Sequence, residues 1–332
     1  MANYDSIRLE KGLYASGSFN RALESIDPSE DYIGSPLEGL DAYQRQLKRF
    51  DIRVNGSGDC IEKFFRTSDS AALFPEFVSR AVRQGMEEAN LLPEIVAGTT
   101  LIDSLDYRTI ASVPGRDDKA LRDVAEGSHI PETVIKTQEN LVRLRKRGRM
   151  LTASYEAIRF QRLDLFAITL RQIGAFIARA QLADAADVLI NGDGNSNPAQ
   201  NTAIAGGSLA YSDLVNLWND LAPYGFNTLI CSGADAVKLV NMDEFKDSAA
   251  GQVFHATGKM ITPVGARLLR CSDLDEGTLI GLDKSCALEM VKAGEVTTEY
   301  DKLIDRQLER AAISCTAGFA KINDGAAKIL SL

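Results

Sequence analysis

Apolar residues recur at three- and four-residue steps from Leu163 through Phe166, Leu170, Ile173 and Ile177 to Ala180, so the spacing predicts a long helix, from about Asp164 to Ile190, with one packed face. Arg171, Gln172, Arg179 and Asp187 fall largely elsewhere. At a rise of ~1.5 Å per residue such a helix spans roughly 40 Å, enough to brace a flat, elongated subunit. It ends at Asn191-Gly192-Asp193-Gly194-Asn195, where glycine accepts the positive φ of a helix stop and Asn and Asp are turn formers. Upstream, Leu73 to Leu92 reads as a second amphipathic helix with Pro75 in its first turn. Ile95 to Ile110 and Glu132 to Tyr155 alternate as extended chain around the polar, turn-rich Pro114 to Ser128, which together predict a long hairpin.

Beyond the glycine-rich stop, short helices and strands alternate and predict a compact inserted α/β lobe. They are a helix from Tyr211 to Ala222 capped by Ser212, with Leu214, Leu217, Trp218 and Leu221 on one face, a strand from Phe226 to Cys231, a helix from Ala234 to Val240, and strands at Gly265 to Cys271 and Thr278 to Leu282. Ala287 to Val296 and Ala311 to Ile322 are closing strands expected to return to the long helix. The first 70 residues are polar and interrupted, and only Leu40 to Phe50 looks helical. An arm that orders against neighbours and a flexible tail both fit this stretch.

The 332 residues, 45% hydrophobic and 25% charged, suffice for a soluble protein with a sizeable core. No apolar run approaches the ~18 residues of a membrane span, and Met1-Ala2-Asn3-Tyr4-Asp5 lacks a signal pattern. A net charge of −9 argues against a protein whose main task is gripping nucleic acid. Five cysteines, Cys60, Cys231, Cys271, Cys286 and Cys315, show no CxxC spacing and read as reduced, buried thiols.

Candidate chemistry is sparse. His129 and His255, the only histidines, sit in polar loops without a nucleophile elbow and without cysteines at ligand spacing, so neither a catalytic site nor a metal site is expected. Asp184, Asp187 and Asp193 lack the spacing of a calcium loop. Gly56-Ser57-Gly58 and Ala205-Gly206-Gly207 lack the lysine and hydroxyl of a phosphate cradle, so no cofactor is expected. The one charge cluster, Arg143, Arg145, Lys146, Arg147 and Arg149, has no interleaved aromatics for stacking bases; the spacing favours contact with acidic groups of this chain or of neighbouring copies over contact with DNA.

The tract from Leu163 to Leu170 and on through Ala185-Ala186-Asp187-Val188-Leu189-Ile190 to the Asn191-Gly192-Asp193-Gly194 stop resembles the spine helix of tailed-bacteriophage major capsid proteins, whose fold is named after phage Hong Kong 97. Together with the order of elements, the resemblance covers about Leu73 to Leu332. It implies an α+β fold with an N-terminal arm at 1–72, a peripheral domain begun by 73–110, an extended β-hairpin loop at 111–155, and the spine helix within 156–202. An axial domain at 203–285 and closing strands at 286–332 complete it. In such a fold Phe166, Leu170, Ile173 and Ile177 pack the spine helix, and the arm and loop reach neighbouring subunits.

The function implied is that of a head protein assembling through hexamers and pentamers into an icosahedral shell around double-stranded DNA, touched non-specifically. Scaffolding, portal and head-completion proteins are the implied partners; the host cytoplasm is the place of assembly and the virion the destination, with no membrane and no cofactor. An encapsulin-type compartment shell is the alternative of the same fold, and a cytoplasmic hydrolase the alternative of a different class. Some capsids of the family link a lysine to an asparagine covalently. Here Lys119, Lys136 or Lys146 with Asn323 would be the candidates, but nothing in the spacing singles out a pair.

Overall fold

A computed structural model of the chain describes residues 4–9, 19–56, 58–110, 121–130, 132, 136–204, 207–246 and 260–332. The tip of the expected hairpin at 111–120, with Asp117, Asp118 and Lys119, lies outside the described residues, as does His255. The chain divides into two compact units. The first comprises Met1–Ala89, Arg147–Ile177 and Glu295–Cys315; the second comprises Asn90–Lys146, Ala178–Gly294 and Thr316–Leu332.

The helices are α1 (Phe19–Ile26), α2 (Ala42–Arg49), α3 (Ser68–Ala71), α4 (Phe74–Glu88), α5 (Tyr155–Phe160), α6 (Leu163–Asn191), α7 (Tyr211–Asp220), α8 (Gly233–Val240) and α9 (Asp243–Lys246). The strands are β1 (Val96–Ile102), β2 (Arg145–Ser154), β3 (Gln200–Ala203), β4 (Thr228–Cys231), β5 (Arg267–Arg270), β6 (Thr278–Leu282), β7 (Leu288–Ala293), β8 (Thr297–Leu303), β9 (Leu308–Lys321) and β10 (Ala327–Ser331). The long helix predicted from periodicity is therefore α6, a single run of 29 residues. It contributes its first half to one unit and its second half to the other.

In the first unit, Leu163, Leu170, Ile173 and Ile177 of α6 are buried with Phe74, Phe77 and Val78 of α4, and Phe166 packs against the same core from a half-buried position. Phe64 meets Phe74 and Phe77 with ring centroids 5.6 Å apart. Two glycines set how closely α4 and α6 approach. A Cβ on Gly85 would overlap the Arg171 carbonyl, and a Cβ on Gly174 would overlap the Val82 carbonyl, so each helix presses backbone into the notch of the other. Glycine in a helix interior costs about 1 kcal/mol relative to alanine, a cost this contact offsets through tighter packing.

The N-terminal stretch differs from the arm that its polarity suggests. Phe19, Leu23, Tyr43, Leu47, Ile52, Ile61 and Phe64 all lie in the first unit's own core. The polar residues between them are accounted for by a buried network. Arg45 donates from Nε to Asp27 at 2.8 Å and from Nη1 to the Leu40 carbonyl at 2.6 Å. Tyr32 donates its hydroxyl to Asp27 at 2.5 Å and lies under the guanidinium. Burial, then the bond to Asp27, pushes the Tyr32 phenol up to about 12. Polar side chains bury here because they satisfy one another, and the hydropathy pattern conceals this.

The second unit contains a sheet of order β3-β10-β6-β4-β5, parallel at β10/β3 and β4/β5 and antiparallel at β10/β6 and β4/β6. The inserted lobe is thus completed by the last strand of the chain, β10, which was expected among the strands returning to the long helix. That helix still meets it, since Leu182, Ala185 and Leu189 share a core with Ile280, Ala327 and Ile329. Around α7, Leu214, Leu217 and Leu221 are buried, but Trp218 is 54% exposed and does not share their face. Its N-terminus is closed by Asp213, which accepts from the Ala210 amide at 2.9 Å, with Ser212 lying inside the first turn instead of capping it.

The two expected arms of the hairpin also diverge. β1 pairs with β7, and β2 with β9, so β1 and β2 do not pair with one another. Among the described residues, the segments 107–110 and 137–142 join, through the Gln138 amide to the Thr109 carbonyl and the Val142 amide to the Tyr107 carbonyl, each at 2.9 Å.

The helix notch yields a direct test. Gly174→Val should lower stability by at least about 3 kcal/mol, because the crossing backbone cannot yield to a new side chain. Thermal melts of Gly174→Val and of Gln172→Val, an exposed position on the same helix, should differ by many degrees; equal melting temperatures would show that the crossing is loose.

Candidate functional site

Within the second unit, Asp184 and Asp187 stand three residues apart on α6 and so face the same way. Arg145, at the start of β2, reaches both, with Nη1 2.5 Å from Asp184 Oδ1 and Nη2 2.9 Å from Asp187 Oδ2. Asn191, one further turn along, donates to Asp187 at 2.7 Å. The Asn191 bond and the Arg145 guanidinium hold the Asp187 carboxyl below the usual carboxylate range, while the two carboxylates push the Arg145 guanidinium upward.

For Arg145, the expected pairing with acidic groups is made within its own chain. Arg145 is committed to its own chain, leaving Arg143, Lys146 and Arg149 exposed. Arg147 is half-buried in the first unit and has an interaction of its own. The carboxylate pair was legible in principle, since two acids at a helical i, i+3 step with an amide at i+7 call for a shared cation.

The helix stop is built as predicted from Gly192 and Gly194, whose φ values are 85° and 98°. Asp193 and Asn197 then turn the stop toward β9. Asp193 Oδ2 accepts from the Lys321 amide at 2.9 Å, and the Lys321 ammonium donates to the Asn197 carbonyl at 2.6 Å. Lys321 is wholly buried, and burial lowers its pKa. Nothing in the strand-like run around Lys321 distinguishes it from an exposed lysine, so its role escaped the sequence.

In the first unit, the face of α6 opposite its packed side carries Leu165, Ile168 and Phe176, which are 51%, 45% and 63% exposed. Phe160 and, in the second unit, Leu121 and Ile130 are exposed as well. Among the described residues no cluster of His, Cys, Asp and Glu has the makings of a metal site, and no helix is long and apolar enough to cross a membrane. Cys60 is exposed and Cys286 half-buried, unlike the buried Cys231, Cys271 and Cys315, so the expectation of buried thiols holds for three of the five. Burial pushes the Cys231 thiol up to about 12.

A family model described as phage capsid protein matches residues 137–320, more than half of the chain. Among solved structures, the capsid of a native GTA particle is similar at 15% identity over 74% of this chain and 90% of that one, with a TM-score of 0.53. A virus-like particle from Pyrococcus furiosus is similar at 14% identity, covering 77% and 98%, TM-score 0.51. The capsid of cyanophage P-SCSP1u is similar at 13% identity, covering 72% and 86%, TM-score 0.50. At these identities the likeness concerns the fold. No curated protein matches the chain.

The Arg145 pairing separates residues that the sequence groups together. Arg145→Glu places a third carboxylate beside Asp184 and Asp187 and should cost about 2 kcal/mol after allowing for partial exposure, whereas Lys146→Glu should stay within about 0.5 kcal/mol. Because the Asp187 pKa is depressed, the pair's contribution is complete above the ordinary carboxylate range and is lost as pH falls through the folded-state value. Urea titrations at pH 7 and below pH 4 measure both effects; Arg145→Gln should lose stability at the higher pH and little more at the lower.

Proposed function

The chain belongs to the phage capsid protein family, and from that premise we propose that it is the major, shell-forming subunit of a tailed-phage or prophage head, residing in the virion. The observation that carries the assembly reading is the second face of α6. The side of a helix turned away from its core is ordinarily polar, yet beside Gln172 and Arg179 on that side of α6 stand Leu165 and Ile168, which are 51% and 45% exposed in a single subunit. Neighbouring copies are the natural cover, because an apolar strip repeated at every symmetry position is buried many times over in a closed shell.

In this reading copies associate as hexamers and pentamers into an icosahedral shell around double-stranded DNA. Residues 111–155 carry the extended loop, and the lobe at 203–285, completed by β10, is the axial domain. Of the basic cluster, the exposed Arg143, Lys146 and Arg149 remain for acidic neighbours, with non-specific contact to packaged DNA as the weaker use; scaffolding, portal and head-completion proteins are the expected partners. The family description favours a phage head over an encapsulin-type compartment, although the two share a shell-forming fold. It also makes a structural role, not hydrolase chemistry, the reading of choice.

Electron microscopy and light scattering of the purified protein test the assembly. Wild-type protein should form capsomers, shells or tubes, and Ile168→Asp should keep its melting temperature within a few degrees, since the site is exposed, while losing particles. A wild-type protein that stays monomeric across a wide concentration range would overturn the proposal, and normal particles from Ile168→Asp would remove α6 from the contact.

A further inference from the structure

We propose that Lys321 is the linchpin of a cooperative clamp that ties the segments 107–110 and 137–142 to the end of α6, so that their bonds open together as one unit. The clamp lies wholly within the second unit, and its argument is independent of what the assembled protein encloses.

Lys321 uses three polar groups on two segments. Its amide donates to Asp193 Oδ2 at 2.9 Å and its ammonium to the Asn197 carbonyl at 2.6 Å, both in the helix stop. Its own carbonyl accepts from Gln138 Nε2 at 2.9 Å, on the returning leg of the loop. The leg and the stop then bond to each other directly. Asn195 donates to Gln138 Oε1 at 2.7 Å, while the Asn140 amide donates to Asn195 Oδ1 at 3.0 Å and Asn140 Nδ2 to the Gly194 carbonyl at 2.8 Å. These bonds form a closed circuit around a buried lysine, and Gln138 is only 6% exposed.

The outgoing leg is held from another side. Glu289 on β7 accepts from the Tyr107 hydroxyl at 2.7 Å and also from the Thr109 hydroxyl. With the legs bonded to each other through Thr109 and Tyr107, both are anchored before the chain departs. By contrast, every residue from Leu121 to Ile130 is exposed. Moving either segment away from the helix stop or from β7 would break several of these bonds at once. Networks of buried polar groups resist opening as units for this reason.

Hydrogen exchange resolved to single amides, on the full-length unassembled subunit, reads this directly, because the amides of Asn140, Asp193 and Lys321 are themselves bonded to clamp side chains. In the wild type these three should exchange slowly and at similar rates, and amides at 121–130 much faster. Gln138→Ala touches none of the three amides, yet should speed all of them together by about tenfold, while Ile230 and Ile280 in the second sheet stay unchanged. If Gln138→Ala does not yield folded protein, the exposed Asn140→Ala serves, with Asp193 and Lys321 as reporters. Unequal acceleration of the reporters would leave a set of separate contacts and no clamp. Equal acceleration of Ile230 and Ile280 would mean that the root has no stability of its own, and fast wild-type exchange at Asn140 would show an open root; either result overturns the proposal.

Discussion

The near-contact of backbone between α4 and α6 at Gly85 and Gly174 is the constraint from which the first unit is built. Once two helices approach until a carbonyl fills the space of a Cβ, the flanking side chains have one way to interdigitate. Phe74, Phe77 and Val78 share a core with Phe166, Leu170 and Ile173, and the Phe74 and Phe166 rings stack with centroids 6.2 Å apart. The aromatic group at Phe64, Phe74 and Phe77 then caps the crossing. The sequence from Phe19 to Ile61 adds a further layer to this same core, and its own polar staple keeps that layer folded. Interiors packed at crystal-like density transmit such a constraint from one contact to the next.

Much of this was legible because helices advertise their buried face. The step from Leu163 to Ile177 placed α6 and its packed side correctly, and the Asn191 to Asn195 stop was identifiable from glycine and turn chemistry alone. What escaped has a common cause. Nothing in the local sequence marks Gly85 and Gly174 as contact points, because the backbone each one meets is distant in sequence. Asp27, Arg45 and Lys321 read as surface charges, and only mutual satisfaction or a nearby carbonyl makes their burial tolerable. Trp218 failed in the opposite sense, since its size and spacing suggested core and the fold leaves it in water.

The basic stretch from Arg143 to Arg149 shows how the fold separates residues that composition groups together. The five cations between Arg143 and Arg149 are grouped by composition and divided by geometry. Arg145 meets a pair of carboxylates and becomes part of the fold, while Lys146 and Arg149 stay in water. Exposed cations on an outer strand have a second effect that needs no partner at all. They disfavour unplanned pairing of that strand with another chain, a hazard for any protein made in many copies at high local concentration.

The two faces of α6 carry opposite demands, and the sequence meets them with residues of the same kind. Leu170 and Ile173 are apolar because the subunit must fold; Leu165, Ile168 and Phe176 are apolar although folding does not require it. An exposed apolar strip raises the free energy of the lone subunit in water by about 25 cal/mol for each Å² that burial would cover, so its retention makes sense only where cover is supplied. If neighbouring copies supply that cover, as proposed, folding and assembly are separable steps on one helix, the first completed within a chain and the second among copies. Under the proposed assembly, a subunit built this way folds on its own and gains from each neighbour, the condition for a shell that grows by correct additions instead of collapsing into aggregate.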